Sequence, residues 1–173
     1  MIENDSVRVT TVIAVEPAHA FKIFTEETDL WWGMGPRFRP LSHPQGQMIF
    51  EGGVGGHLLE YVGDEATPPF VLGHIKVWEP PSRLVFSMGG RDFGKEDWPI
   101  VEISFEPEQD GTRVTLEHRG FAALAATHPV RHGLDGQAFL DVMAIFWADL
   151  LGKAQRHVLA ATKGEASSKS RQD

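Results

Sequence analysis

Two side chains stand out as able to move a proton or polarise a ligand. His118 closes the run VTLEH and Glu60 sits in HLLEYV. Alternation along a strand puts Val114, Leu116 and His118 on one face, which predicts an inward imidazole. Beside a cavity, a neutral imidazole hydrogen-bonds a ligand or transfers a proton. In the plainer alternative it is an edge-of-core histidine satisfied by a neighbouring carbonyl or carboxylate. Glu60 shares a face with Leu58 and Val62, so it is either a carboxylate against an apolar cavity or, if His57, Leu59 and Tyr61 point inward, a solvated one. Both faces of that run carry apolar residues, so the orientation stays open. Together the two would form an acid/base pair, though nothing in the spacing brings them into contact.

The second group is aromatic. DLWWGMGPRF (29–38) sets Trp31 beside Trp32, then stops at Gly33, Gly35 and Pro36. Neighbouring side chains point in different directions, so at most one faces the main core squarely. One indole can join Phe21 and Phe24, leaving the other at a rim to contact an apolar or aromatic ligand. Alternatively both simply plug the end of the fold. Met143 and Trp147, farther on, belong to an apolar helical stripe that can line the same space or serve as plain core.

Other chemistries find no support. Eight histidines include no His-Glu-x-x-His, and His128 and His132 flank Pro129, so no metal site is expected. There is no Gly-x-Ser-x-Gly or phosphate-binding loop, and GGVGG lacks the following helix of a dinucleotide fingerprint. Asp-Phe-Gly in RDFGK is a chance match. No cofactor is implied. A net charge of −8 disfavours nucleic acid and anionic membrane surfaces as partners. No run approaches a membrane span, and MIENDSVRVT is too acidic for a secretory signal. The absence of cysteine fits the cytoplasm.

The elements that must hold these residues read as follows. VRVTTVIAV (7–15) is a strand, a helix opens at Pro17 and covers about 17–25, and a second short helix covers 26–32. A loop spans 33–45. Six strand-like runs follow with short connections: GQMIFE, HLLEYV, FVLGHIKVWE, RLVFSM, WPIVEISFEP and TRVTLEHRGF. They predict an antiparallel meander, with Pro80-Pro81 and Asp110-Gly111 in turns. From about 137, Phe139, Val142, Met143, Phe146, Trp147, Leu150, Ala154 and Val158 recur at helical spacing. The expected organisation is a flexible N-terminus over 1–6, one domain over 7–160 and a disordered polar tail over 161–173. A seven-stranded curved sheet crossed by one long helix leaves a cavity between them, open at one end.

The order of elements, with TEETDLWWG, GGHLLE, GHIKVWEPPSRLVFS and GTRVTLEHRGF, resembles the START-like or SRPBCC superfamily. Within it the chain most resembles the activator of 90-kDa heat-shock-protein ATPase homologues, over about 7–160. The resemblance implies an α+β helix-grip (START-like/Bet v-like) fold: a seven-stranded curved antiparallel sheet, two short helices and a long C-terminal helix. Bacterial relatives often carry Gly-Trp at the start of the last helix, where this chain reads GQAFLDVM. The eukaryotic co-chaperones add an N-terminal domain for which this length has no room.

The function expected is binding of a small hydrophobic molecule, aromatic or lipid-like, by Trp31, Trp32, Glu60, His118, Met143 and Trp147. One alternative is a cyclase, dehydratase or hydrolase using Glu60 and His118 in the same cavity. Another is a co-chaperone-like partner module with a filled core. A homodimer is the protein assembly this reading admits.

Overall fold

The alternation of β-branched and polar residues in the first run becomes β1 (Ser6–Ile13), which buries Val7 and Ile13. A computed structural model describes residues 5–94 and 98–169. After β1 come α1 (Pro17–Glu26), α2 (Thr28–Trp31), β2 (Gln47–Phe50), β3 (His57–Tyr61), β4 (Phe70–Glu79), β5 (Arg83–Met88), β6 (Ile100–Glu108), β7 (Gly111–Arg119) and α3 (Gly136–Lys169). Two 3-10 turns, Phe121–Ala123 and Pro129–Arg131, lie between β7 and α3. No helix among the described residues is long and apolar enough to cross a membrane.

The strands form one antiparallel sheet in the order β1-β7-β6-β5-β4-β3-β2. β2 to β7 is the expected meander, and β1 pairs along β7 from Ser6↔Arg119 to Ile13↔Thr112. Gly111 starts β7 at φ +141, and a Cβ there would lie 2.0 Å from the Ile13 carbonyl oxygen, so the tight Asp110-Gly111 turn demands glycine. Register shifts at Leu58/Leu59 and Ile75/Val77 bend the sheet, because a bulged strand gains local twist. The concave face is apolar along the register. Phe86 faces Val101, Val101 faces His118, and Leu84 and Leu116 flank Ile103, all buried. On the outer face Arg83 and Arg119 both bond Glu102, and the Arg83 hydrogen bond holds that carboxyl below its usual range.

Pro17 occupies the first turn of α1, where its missing N–H costs nothing. The helix buries Ala20, Phe21, Ile23 and Phe24, with Phe21 and Phe24 edge-on to Phe105. The two tryptophans then close this end. Trp31 is 1% exposed and donates its indole N–H to the Ile23 carbonyl at 3.2 Å. Trp32 is 3% exposed and donates to the Phe38 carbonyl at 3.0 Å. Neither stands at a rim; the plugging alternative describes both.

α3 packs against β1 and α2. Its buried stripe is Phe139, Leu140, Phe146, Trp147, Leu150, Leu151, Ala154 and Val158. Val142, expected in the stripe, is 42% exposed, and Leu140 and Leu151 are buried in addition. The stripe is therefore rotated from the one traced in sequence, because the helix rolls toward the β1 edge, where Gln155 bonds the Val12 carbonyl. The helix also continues to Lys169, past the expected boundary at 160. The segment 161–169 contains no proline, and its one glycine, Gly164, costs a helix only about 1 kcal/mol. Residues 1–4 and 170–173 of the expected termini lie outside the described residues, whereas Ser6 already belongs to β1.

Candidate functional site

His118 lies near the end of β7, opposite Val101 on β6 and Val7 on β1. It is 3% exposed. The Trp147 indole N–H donates to its Nδ1 at 3.1 Å. An indole nitrogen can only donate, so Nδ1 must accept, and a neutral ring then carries its proton on Nε2. Burial lowers the His118 pKa to about 3, so the ring is neutral near neutral pH. Nε2 has no hydrogen-bond partner among the described residues. The imidazole is packed edge-on against Phe121 and Trp147.

Beside His118 is a chamber of about 70 Å³ walled by Met88, Phe93, Phe121, Leu124, Val130, Phe139 and Met143, with Gly89 and Pro99 completing it. It adjoins an open groove of about 500 Å³ that shares Met88, Gly89, Phe93 and Val130 and is bounded by the loop 36–40, Phe70 and Phe146. The chamber alone holds only a few waters or the end of a ligand. With the groove it reaches the size of ordinary small-molecule sites.

Each wall has a local cause. Gly89 follows the end of β5 and lets the Trp98 ring approach closely, because a Cβ there would lie 2.6 Å from that ring. His128 caps the Pro129–Arg131 turn by accepting the Val130 N–H on Nδ1, which leaves Nε2 to donate to the Asp92 carbonyl at 3.0 Å. That bond ties the segment after β5 to the segment before α3, with Phe93 against the His128 ring. On the other side Phe38 stacks on Phe146. Phe38 also accepts the Trp32 N–H, so it separates the groove from the paired indoles.

The predicted site residues divide. His118, Met143 and Trp147 come together: His118 and Met143 line the chamber, and Trp147 orients His118 from behind. Trp31 and Trp32 line neither the chamber nor the groove, because their neighbours and their N–H partners fill that end. Glu60 is inward and 0% exposed, yet it serves the loop after α2: its Oε2 accepts the Leu41 N–H at 2.6 Å. It borders neither space, and β3 lies four strands from β7 in the sheet. Four strand spacings are roughly 19 Å along the sheet, so the acid/base pair is not assembled.

The sequence reading missed Phe38, Phe70, Met88, Phe93 and Val130, which come from strand ends and irregular segments. His128-Pro129 was the one local signal for a fixed turn there. It also missed Arg131, buried over Phe139, with Nη2 bonding the Phe121 and Leu124 carbonyls.

The lowered pKa of His118 has a consequence for stability. Above its unfolded value of 6.5 both states hold a neutral ring and nothing is lost. Below 6.5 the unfolded chain takes up a proton that the folded chain refuses until about 3, so stability falls with decreasing pH. The slope is about 1.4 kcal/mol per pH unit. Between neutrality and about pH 5 the wild type should lose roughly 2 kcal/mol more than His118→Gln, read from urea midpoints. His74, lowered mainly by burial, acts in the same direction in both proteins. Superimposable pH profiles would contradict a neutral buried imidazole.

A curved seven-stranded antiparallel sheet gripping one long helix, with its opening along the seam between them, is the helix-grip class. A family model described as Activator of Hsp90 ATPase homolog 1-like protein matches residues 14–144, and the chain belongs to that family. No curated protein matches the sequence. Among solved structures, PFC0360w, an HSP90 activator from Plasmodium falciparum, is 20% identical, with 93% of this chain and 97% of that one covered and a TM-score of 0.59. The Aha1 dimer from Colwellia psychrerythraea is 14% identical, with 88% and 95% covered and a TM-score of 0.59. DynU16, from the dynemicin biosynthetic locus, is 16% identical with a TM-score of 0.61; the match covers 91% of this chain but 48% of DynU16. At these identities the likeness is one of fold.

Proposed function

We propose that this chain binds a small hydrophobic molecule, aromatic or lipid-like, with one end in the chamber beside His118 and the remainder along the groove. The observation that carries the reading is the chamber itself. It is an apolar space that adjoins a larger opening and has a single neutral polar side chain in its wall. Such a space gains from apolar contact area, at about 25 cal/mol per Å² removed from water. The separation of Glu60 and His118 weighs against the acid/base alternative. The homodimer rests on the Colwellia dimer, and a cytoplasmic location rests on the cysteine-free composition.

Met143→Trp tests the reading by placing a larger side chain in the chamber wall. Binding of the neutral fluorophore N-phenyl-1-naphthylamine should weaken about tenfold, the equivalent of about 1.4 kcal/mol. Unchanged affinity in a variant of unchanged thermal stability would contradict it.

A further inference from the structure

We propose that the guest enters carbonyl first: the chamber takes the oxygen of a neutral aryl or acyl carbonyl compound, a ketone, aldehyde or ester, held by the Nε2–H of His118. This rests on the ligand-binding reading above and adds the chemical class of what is bound.

Three observations converge on an oxygen acceptor. The first is the orphaned donor. With Nδ1 engaged by Trp147, the buried ring has one remaining polar atom, Nε2, which meets no acceptor among the described residues. A buried N–H without an acceptor is costly, and a ligand acceptor removes that cost. The second is the scarcity of other hydrogen-bonding groups. The remaining side chains around the chamber are apolar. The backbone carbonyls of Phe121 and Leu124 already accept from Arg131, and that of Pro99 accepts from the Met88 N–H. Among the lining side chains a phenol, alcohol or amine finds no oxygen or nitrogen acceptor for its own donor, whereas a carbonyl needs only the donor that His118 supplies.

The third is charge. Arg131 is buried directly behind the Phe121 and Phe139 walls, with no carboxylate within ion-pair distance among the described residues. Its field favours the negative end of a dipole in the chamber and opposes a cation. Among the side chains that line the chamber a carboxylate would find one donor only, too little to offset the loss of its hydration, and Arg131, whose Nε also lacks a partner among the described residues, stands behind the wall rather than in it. The favoured end is thus neutral, dipolar and oxygen-terminated. The small chamber admits that end, and the groove receives the aryl or acyl remainder.

The test compares acetophenone with α-methylstyrene, which has the same shape with a methylene group in place of the oxygen. Both are titrated into the full chain labelled with nitrogen-15 and, at the methionine methyl groups, carbon-13, with the His118 Nε2–H proton as the main signal. Acetophenone should move that proton downfield and α-methylstyrene should not. In His118→Phe the affinity ratio of ketone to hydrocarbon should fall about tenfold. Binding of both probes with the same effect on Nε2–H, or a ratio unchanged by the substitution, overturns the carbonyl assignment while leaving a hydrophobic site. If neither probe perturbs the Met88 and Met143 methyl groups, the ligand-binding reading falls, and this inference with it. The wild-type measurement stands alone should His118→Phe fail to fold.

Discussion

Trp147→Ala should cost the folded chain about 4 kcal/mol, seen as a lower urea midpoint with an unchanged slope. Trp147 is fully buried and sits where the sheet, α3 and the end-closing indoles meet. Its ring is edge-on to Trp32 at 6.0 Å and to Phe146 at 5.1 Å. Truncation leaves a cavity among rigid aromatic rings that cannot collapse into it, which places the loss toward the upper part of the range for buried aromatics. It also removes the donor from His118 Nδ1, adding an unmet acceptor. Trp147→Phe separates the two contributions. It retains most of the packing and should lose roughly 1–2 kcal/mol, mainly the hydrogen bond and the smaller ring. Equal losses for Ala and Phe would mean that the hydrogen bond, and not the packing, dominates.

Arg39→Met should destabilise by about 3 kcal/mol, and Arg39→Lys should recover little of that. Arg39 is among the most deeply buried side chains of the molecule. Its Nε donates to the Gly33 carbonyl at 2.9 Å, Nη1 donates to the Gly46 carbonyl, and Nη2 pairs with Asp29 Oδ1 at 2.8 Å. The same Asp29 oxygen accepts the Met48 N–H of β2. One guanidinium thus ties the two ends of the 33–46 loop to α2 and, through Asp29, to the edge strand. Glu60 assists by holding Leu41. Met fills the space but leaves two carbonyls without donors, while an ammonium cannot reproduce the planar fork. Because Phe38 lies in this loop and forms one wall of the groove, either substitution should also weaken binding of N-phenyl-1-naphthylamine.

What could be read from the chain follows the reach of local pattern. The alternation in VTLEH put His118 inward, and short turns such as Asp110-Gly111 implied the meander, because both rest on neighbours in sequence. The meander also implied that Glu60 and His118 lie four strands apart, a consequence that stays hidden when each strand is considered alone. The rotation of the α3 stripe, from Val142 toward Leu140 and Leu151, depends on how the helix rolls on β1. A sequence with apolar residues at 139, 140, 142, 143, 145 and 146 is compatible with more than one roll. The paired tryptophans had two possible surroundings, and the returning loop with Phe38 and Arg39 decides between them through contacts that leave no periodic trace. Phe139 and Met143 of the chamber came from the helical repeat of α3, but its other apolar walls come from strand ends and from the irregular segments after β5 and over 120–135, where side-chain direction follows no repeat. Its one legible polar member was His118.

The most direct test of an interior guest uses the methionine methyl groups as reporters. Of the chain's five methionines, Met88 and Met143 line the chamber, Met48 is buried on β2 away from it, and Met34 is exposed. In a carbon-13 methyl spectrum titrated with N-phenyl-1-naphthylamine, Met88 and Met143 should shift together and saturate at one affinity while Met48 and Met34 stay in place. Shifts confined to Met34, or no saturable shift at Met88 and Met143, would contradict a site between the sheet and α3.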